Sequence, residues 1–175
     1  PATAARLAAV LDSAEIRLER EGFAARAPAR LGLVALDEGH DAEERPPAAL
    51  LDRLAFHVEL DGICAVDAVA TPLDASAVAA ARERLAAVAV PDPVVRALCE
   101  TAAALGVDSL RASLLAVRVA RVAAALAGHP SVEEPDAVLA ARLVLAPRAT
   151  RLPETAPTEE AEAPAEPDPT DARPP

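Results

Sequence analysis

Two arginines stand where a guanidinium can meet a phosphate. Arg53 ends the segment Pro46-Pro47-Ala48-Ala49-Leu50-Leu51-Asp52-Arg53, in which two prolines open a short helix that closes on Asp-Arg. A guanidinium is always charged and grips phosphate oxygens two at a time. It therefore suits a finger that reaches a γ-phosphate bound by a neighbouring subunit. The same place suits a cation on dipole grounds alone, and the motif leaves both readings open. Arg111, in Ser109-Leu110-Arg111-Ala112, lies in the first turn of a long helix, where the dipole disfavours a cation. Such a cation is either placed for a ligand or is one more surface arginine in an arginine-rich chain, and taken alone the second reading is stronger. Arg118 and Arg121 continue along that helix as a solvated face.

A third feature is the run Leu33-Val34-Ala35-Leu36-Asp37-Glu38. An apolar strand that ends in Asp-Glu can hold Mg²⁺ and a water at the carboxyl edge of a sheet, although a solvated acidic loop after a strand is the commoner arrangement. His40, His57 and His129 have no metal-ligand spacing with one another or with a cysteine, and we assign no metal site. His57 reads as structural.

These side chains need a scaffold, and composition limits what it can be. The chain has 175 residues, of which 53% are hydrophobic, mostly Ala, Leu and Val. Such residues favour helices packed closely through small side chains. All 17 basic residues are arginine, which excludes a P-loop lysine or a Schiff-base lysine among them. A net charge of -11 argues against a nucleic-acid partner. No apolar run is long enough for a membrane span and no leader pattern is present, so a cytoplasmic location is expected. Cys64 and Cys99 lack a CxxC partner and read as structural thiols. Met is absent even at position 1, and the chain opens in mid-helix style, so we expect a piece of a longer protein.

Along the chain, Leu7, Val10 and Leu11 give helical spacing. Ile16 and Leu18 then alternate with charged residues, Glu21-Gly22 supplies a turn, and Phe23-Ala24-Ala25-Arg26 returns, which predicts a β-hairpin. The apolar run 31–36 predicts a buried strand of a parallel sheet. Phe56-His57-Val58-Glu59-Leu60 predicts another. Four helices are expected over 74–88 with Asp74 as N-cap, 93–105 closed by Gly106, 108–127 closed by Gly128, and 134–146 stopped at Pro147. Residues 153–175 hold seven prolines, seven carboxylates and one arginine, which marks a disordered acidic spacer. The fold class is thus α/β, a partial core joined to a helical bundle. The expected division is 1–62 core, 63–152 helical part and 153–175 linker.

Taken in order, these segments resemble the AAA+ module of the D-type subunits of magnesium chelatase. Glu15-Ile16-Arg17-Leu18-Glu19-Arg20-Glu21-Gly22 resembles the inserted hairpin of that family, and Pro28-Ala29-Arg30-Leu31-Gly32-Leu33-Val34-Ala35-Leu36-Asp37-Glu38-Gly39 its sensor-1 strand and loop. Residues 47–56 resemble the arginine-finger box. Ser109-Leu110-Arg111-Ala112 opens the lid helix where the family has its sensor-2 arginine, and Leu145-Ala146-Pro147-Arg148-Ala149-Thr150-Arg151 resembles the closing segment of the lid.

The resemblance implies a partial AAA+ P-loop-type core with a sensor-1 strand, an inserted hairpin and a four-helix lid. It implies Arg53 as an arginine finger acting in trans, Arg111 as sensor 2, and Glu38 at the sensor-1 position. An ionised acid at Glu38 repels phosphate rather than donating to it, so a weakened ATPase site follows. It further implies ATP and Mg²⁺ at an assembled subunit interface, a ring with the ATPase I subunit, and a porphyrin-binding H subunit. The reaction would be ATP-driven insertion of Mg²⁺ into protoporphyrin IX, a ligase step of chlorophyll and bacteriochlorophyll biosynthesis in photosynthesis, with these residues inactive alone.

Two other readings stand beside it: another AAA+ protein of cobalt-chelatase or MoxR type, and a non-catalytic helical interaction module. The finger reading makes one geometric demand. Arg53 must project from its own subunit, and the motor reading is to be abandoned if its side chain lies inside its own fold, tied to a local carboxylate and away from any assembly face.

Overall fold

The computed structural model describes residues 2–39, 41, 44–64, 66 and 74–151. His40 and the acidic segment 153–175 lie outside the described residues. The chain opens with α1 (Ala2–Ser13), which ends where Ala14 turns to a positive φ of 52°. The hairpin follows, with β1 (Glu15–Arg20) and β2 (Phe23–Pro28) antiparallel and Arg20 opposite Phe23. Two residues therefore make the turn, Glu21 and Gly22, with φ of 51° and 82°. Positive φ at both positions is what a tight turn needs to match the twist of the strands.

The two expected strands of a parallel sheet are not formed. Residues 31–36 run as irregular chain with Val34 and Leu36 exposed, and 56–60 likewise expose Phe56, Val58 and Leu60. The physical reason is the ladder. A strand is defined by a partner that takes its N–H and C=O groups, and β1 and β2 use each other. Among the described residues no further strand offers an edge. Apolar content alone cannot hold either run extended and buried.

Between them lies α2 (Ala48–Leu51), opened by Pro47. Its one buried side chain is Leu50. It packs against α1, and this contact brings Asp12, near the end of α1, to the loop after α2.

The four expected helices form the second half. α3 (Ala75–Leu85) is capped by Asp74, whose carboxylate accepts from the Ser76 and Ala77 amides at 2.9 and 3.3 Å. The Ser76 hydroxyl and these amides hold the Asp74 carboxyl below its usual range. α4 (Asp92–Ala104) ends before Gly106, and α5 (Leu110–Ala127) ends on Gly128 with φ 88°. α6 (Glu134–Ala140) runs on through a π-helical stretch, Ala141–Leu145, and a 3₁₀ turn, Ala146–Arg148.

α5 is the central post. Ala112, Ala116, Ala120 and Ala124 recur every four residues, fully buried, so the other helices approach its backbone closely. Leu98, Ala102, Val132, Ala140, Val144 and Leu145 complete this core. Arg121 is not part of a solvated face: its guanidinium donates to the Leu85 carbonyl at 2.8 Å, while Arg84 donates to the Ala125 carbonyl at 2.9 and 3.2 Å. These bonds satisfy carbonyls near the ends of α3 and α5, which the helices cannot satisfy themselves. Arg118 is exposed as expected.

Candidate functional site

The loop after α2 carries Asp52 and Arg53, and three side chains from distant segments converge on it. Arg53 donates through Nε to Asp12 Oδ1 at 3.0 Å and through Nη2 to Asp12 Oδ2, a two-pronged grip on one carboxylate. Its Nη1 donates to the Ala49 carbonyl of α2. The dipole role expected of a helix-end cation is thus realised, since Arg53 satisfies a carbonyl of the last turn. Arg111 donates through Nη1 to Asp12 Oδ1 and through Nε to Asp52 Oδ2, each at 3.1 Å. Ser109 accepts the Ala112 amide at 3.2 Å as the N-cap of α5 and donates its hydroxyl to Asp52 Oδ1.

The outcome is a cluster of two guanidinium groups and two carboxylates. Arg53 and Arg111, read separately from the sequence, are brought together on a single anion. The Arg53 side chain is 18% exposed and that of Asp12 is 37% exposed, so the grip is open to solvent on one side. The Arg53 hydrogen bond, reinforced by Arg111, holds the Asp12 carboxyl below its ordinary value, and Asp12 in turn raises Arg53.

The demand that Arg53 project from its own fold is not met. It lies back on Asp12. Glu38 is exposed on the irregular run 31–39, and no hydrogen bond or ion pair joins it to Arg53 or Arg111. Asp12 and Asp52 were missed from the sequence. A signal existed for Asp12: an acid in the last turn of a helix opposes the dipole and calls for a cation.

His57 is not in a strand. Its Nε2 lies 3.1 Å from the Leu51 carbonyl and 3.2 Å from the Arg148 guanidinium, and it serves one of them at a time, as donor to the first or acceptor from the second. His129 pairs through Nδ1 with Asp136 Oδ2 at 3.0 Å. Cys64 and Cys99 are free and exposed, so neither thiol has a packing role. Among the described residues no group of three His, Cys, Asp or Glu side chains can hold a metal, and no helix is long and apolar enough to cross a membrane.

Residues 95–168 match the family model of the AAA lid domain, which takes in most of α4, all of α5 and α6, and runs on into the segment read as a linker. A curated relative, the magnesium-chelatase 60 kDa subunit of Cereibacter sphaeroides, is 46% identical over 140 residues, 80% of this chain and 25% of that protein. The chain is similar to the magnesium-chelatase 60 and 67 kDa subunits, and its residues 95–168 are similar to an AAA lid. The 60 kDa subunit of Rhodobacter capsulatus is 38% identical over 71% of this chain and 22% of its own length. The 67 kDa subunit of Chlorobaculum parvum is 43% identical over 47% of this chain and 13% of its own. The chain spans about a quarter of the length of the first of these relatives. Within the helical half, α5, α6 and most of α4 thus fall in a stretch similar to an AAA lid, and the mixed hairpin-and-helix architecture is consistent with a partial AAA+ fold.

Proposed function

We propose that this chain is the C-terminal part of the AAA+ module of a magnesium chelatase D-type subunit, core over 1–62 and lid over 63–152. It would support ATP-driven insertion of Mg²⁺ into protoporphyrin IX, in a cytoplasmic ring with an ATPase I-type subunit and beside a porphyrin-binding H-type subunit. The observation that carries this is the similarity to the magnesium-chelatase 60 kDa subunits over most of the chain. The convergence of Arg53 and Arg111 on one two-oxygen anion bears on the finger alone, and supports it only if Asp12 gives way to phosphate. Two guanidinium groups around a single carboxylate form a donor set of the kind that grips a phosphoryl group. ATP bound at an assembled interface would supply the phosphoryl group whose hydrolysis drives the cycle. This chain contributes only charge facing that group, because it has no lysine for a P-loop.

In this reading Asp12 occupies the seat of two phosphoryl oxygens. Arg53 leaves it to act across the subunit boundary, and Arg111 reads the same phosphate from the lid. Glu38 stands at the sensor-1 position, where an acid weakens the subunit's own hydrolysis.

The pairing with Asp12 also favours a second reading. Arg53 and Arg111 are then structural staples that fasten α1 and the α2 loop to α5, and the chain is an interaction module. Arg53→Ala in the full-length subunit separates the two. As a finger, its loss lowers the ATPase turnover of the assembled complex by roughly a thousandfold at unchanged complex formation. Normal turnover with a lowered melting temperature would leave only the staple.

A further inference from the structure

Arg148 closes the 3₁₀ turn at the end of the lid, and among the described residues its guanidinium has no carboxylate within hydrogen-bond reach. Nη1 donates to the Ala55 carbonyl at 3.1 Å and to the Val144 carbonyl at 2.7 Å. Nη2 donates to the Leu54 carbonyl and lies 3.2 Å from His57 Nε2. Burial lowers its pKa, so the charge is kept in a half-buried place at a cost that a neutral side chain would avoid.

What the cation holds is the peptide that follows Arg53. The residue before Arg53 is held as well: Asp52 receives the Ser109 hydroxyl and the Arg111 Nε, both from the lid. The loop Asp52-Arg53-Leu54-Ala55 is therefore fastened to the lid on both flanks, at the start of α5 and at the end of the π and 3₁₀ stretch. The Arg53 side chain between them turns away from the lid, to Asp12 of α1 and the Ala49 carbonyl of α2.

We propose that Arg148 is a positioning residue that couples the orientation of the lid to the placement of Arg53. The inference rests on the finger reading above. A planar fork with several donors can hold two successive carbonyls and a third from its own turn at once. A lysine ammonium is a point charge and cannot reproduce that fork, and glutamine is too short. If the lid turns, the carbonyls of Leu54 and Ala55 turn with it, and Arg53 is carried along. Arg111, anchored in the same lid, moves in step, so both arginines reach or leave an anion together.

The test uses the full-length subunit in its assembled ATPase, with Arg148→Gln, Arg148→Lys, Arg53→Ala and the double variant Arg53→Ala/Arg148→Gln. A misplaced catalytic group loses up to about a hundredfold in rate, so we expect Arg148→Gln to lower kcat by about tenfold to a hundredfold with KM for ATP unchanged. Arg148→Lys is expected to lie between Gln and Arg. In the Arg53→Ala background the second change is expected to add no further loss. Amide exchange at Arg53 and Leu54, whose N–H groups donate to Leu50 and Leu51, is expected to quicken in Arg148→Gln while α4 and α5 keep their protection. Multiplicative losses in the double variant, or unchanged exchange in the loop, would overturn the coupling. If Arg53→Ala alone left turnover intact, the finger reading would fall first. A loss in Arg148→Gln under those conditions would show that Arg148 does not act through Arg53.

Discussion

Asp12 and Arg111 each sit at the helix end that their charge disfavours, an acid in the last turn of α1 and a base in the first turn of α5, and they are joined at 3.1 Å. Each charge relieves the dipole mismatch of the other. Arg53 completes the arrangement from the loop after α2. Three elements are in this way held at one charged point, where α1 and α2, packed on each other, meet α5. The relation accounts for the place of Arg111 against its dipole. It also makes Asp12 the competitor of any phosphate that the two arginines are to meet.

Replacing that competitor tests the arrangement. Asp12→Asn keeps the shape and removes the charge. On the finger reading, Arg53 then needs less to leave, and the concentration of subunit that half-saturates ATPase stimulation should fall severalfold. The gain should shrink as salt screens the ion pair. The sign with pH is fixed by the depressed carboxyl. A group lowered from 3.8 contributes stability above that value and loses it as pH falls through the folded value. Acid titration of the wild type should therefore show a loss of α1 docking below 3.8 that the Asn variant lacks. If Asp12→Asn instead abolished stimulation, Asp12 would be holding Arg53 in its working position, and the competitor role would be wrong.

Much of this was legible in sequence because its causes are local. Asp74 as N-cap, Gly106 and Gly128 as helix ends, and Glu21-Gly22 as a two-residue turn follow from backbone rules that need no partner. The runs 31–36 and 56–60 misled, because their apolar content reads as strand whereas a strand requires an edge to pair with. The π-helical stretch Ala141–Leu145 was also illegible. It depends on seating Val144 and Leu145 in the core while bringing Arg148 under the α2 loop, and no short-range pattern records that. The site divides in the same way. Arg53 and Arg111 could be singled out by helix position. Asp12 carried a signal of the same kind, but its pairing with them could not be read, since Asp12 and Arg53 are 41 positions apart and meet only through the packing of α1 on α2.

Gly106 offers a test of how the lid is closed. Its φ is +66°, and an added Cβ would collide with the Thr150 hydroxyl and crowd the Arg151 side chain. That hydroxyl donates to the Gly106 carbonyl at 2.7 Å, and the Thr150 and Arg151 amides both donate to the Leu105 carbonyl. The end of the described chain is laid across the α4–α5 turn by these bonds. Gly106→Ala combines a left-handed backbone with a collision, a kind of strain worth roughly 1–3 kcal/mol. For a unit of this size a loss of 1 kcal/mol lowers the melting temperature by about 4–8 °C. Thermal unfolding with exchange at the Thr150 and Arg151 amides would check it. An unshifted melting curve would mean that this turn is not closed by residues 150–151 in solution.

His129 sets the direction in which lid stability depends on pH. Its Nδ1 meets Asp136 at 3.0 Å, Glu133 lies 3.9 Å from Nε2, and the Asp136 carboxylate also accepts the Glu133 amide at 3.0 Å. Asp136 is buried, only 5% exposed, so an imidazolium beside it is the natural counter-ion. The hydrogen bond to Asp136 is the main cause that raises His129 above 6.5; partial burial opposes it and the Glu133 charge adds to it. A histidine raised on folding stabilises fully below its unfolded value and loses that contribution as pH rises through the folded one. The lid should therefore melt at progressively lower temperature as pH climbs from below 6.5 to well above it. His129→Gln, which cannot become a cation, should flatten that slope and leave the variant less stable than wild type at the acidic end only. Melting curves at matched ionic strength would decide it, and a wild-type slope that survives the substitution would assign the pH dependence to another group.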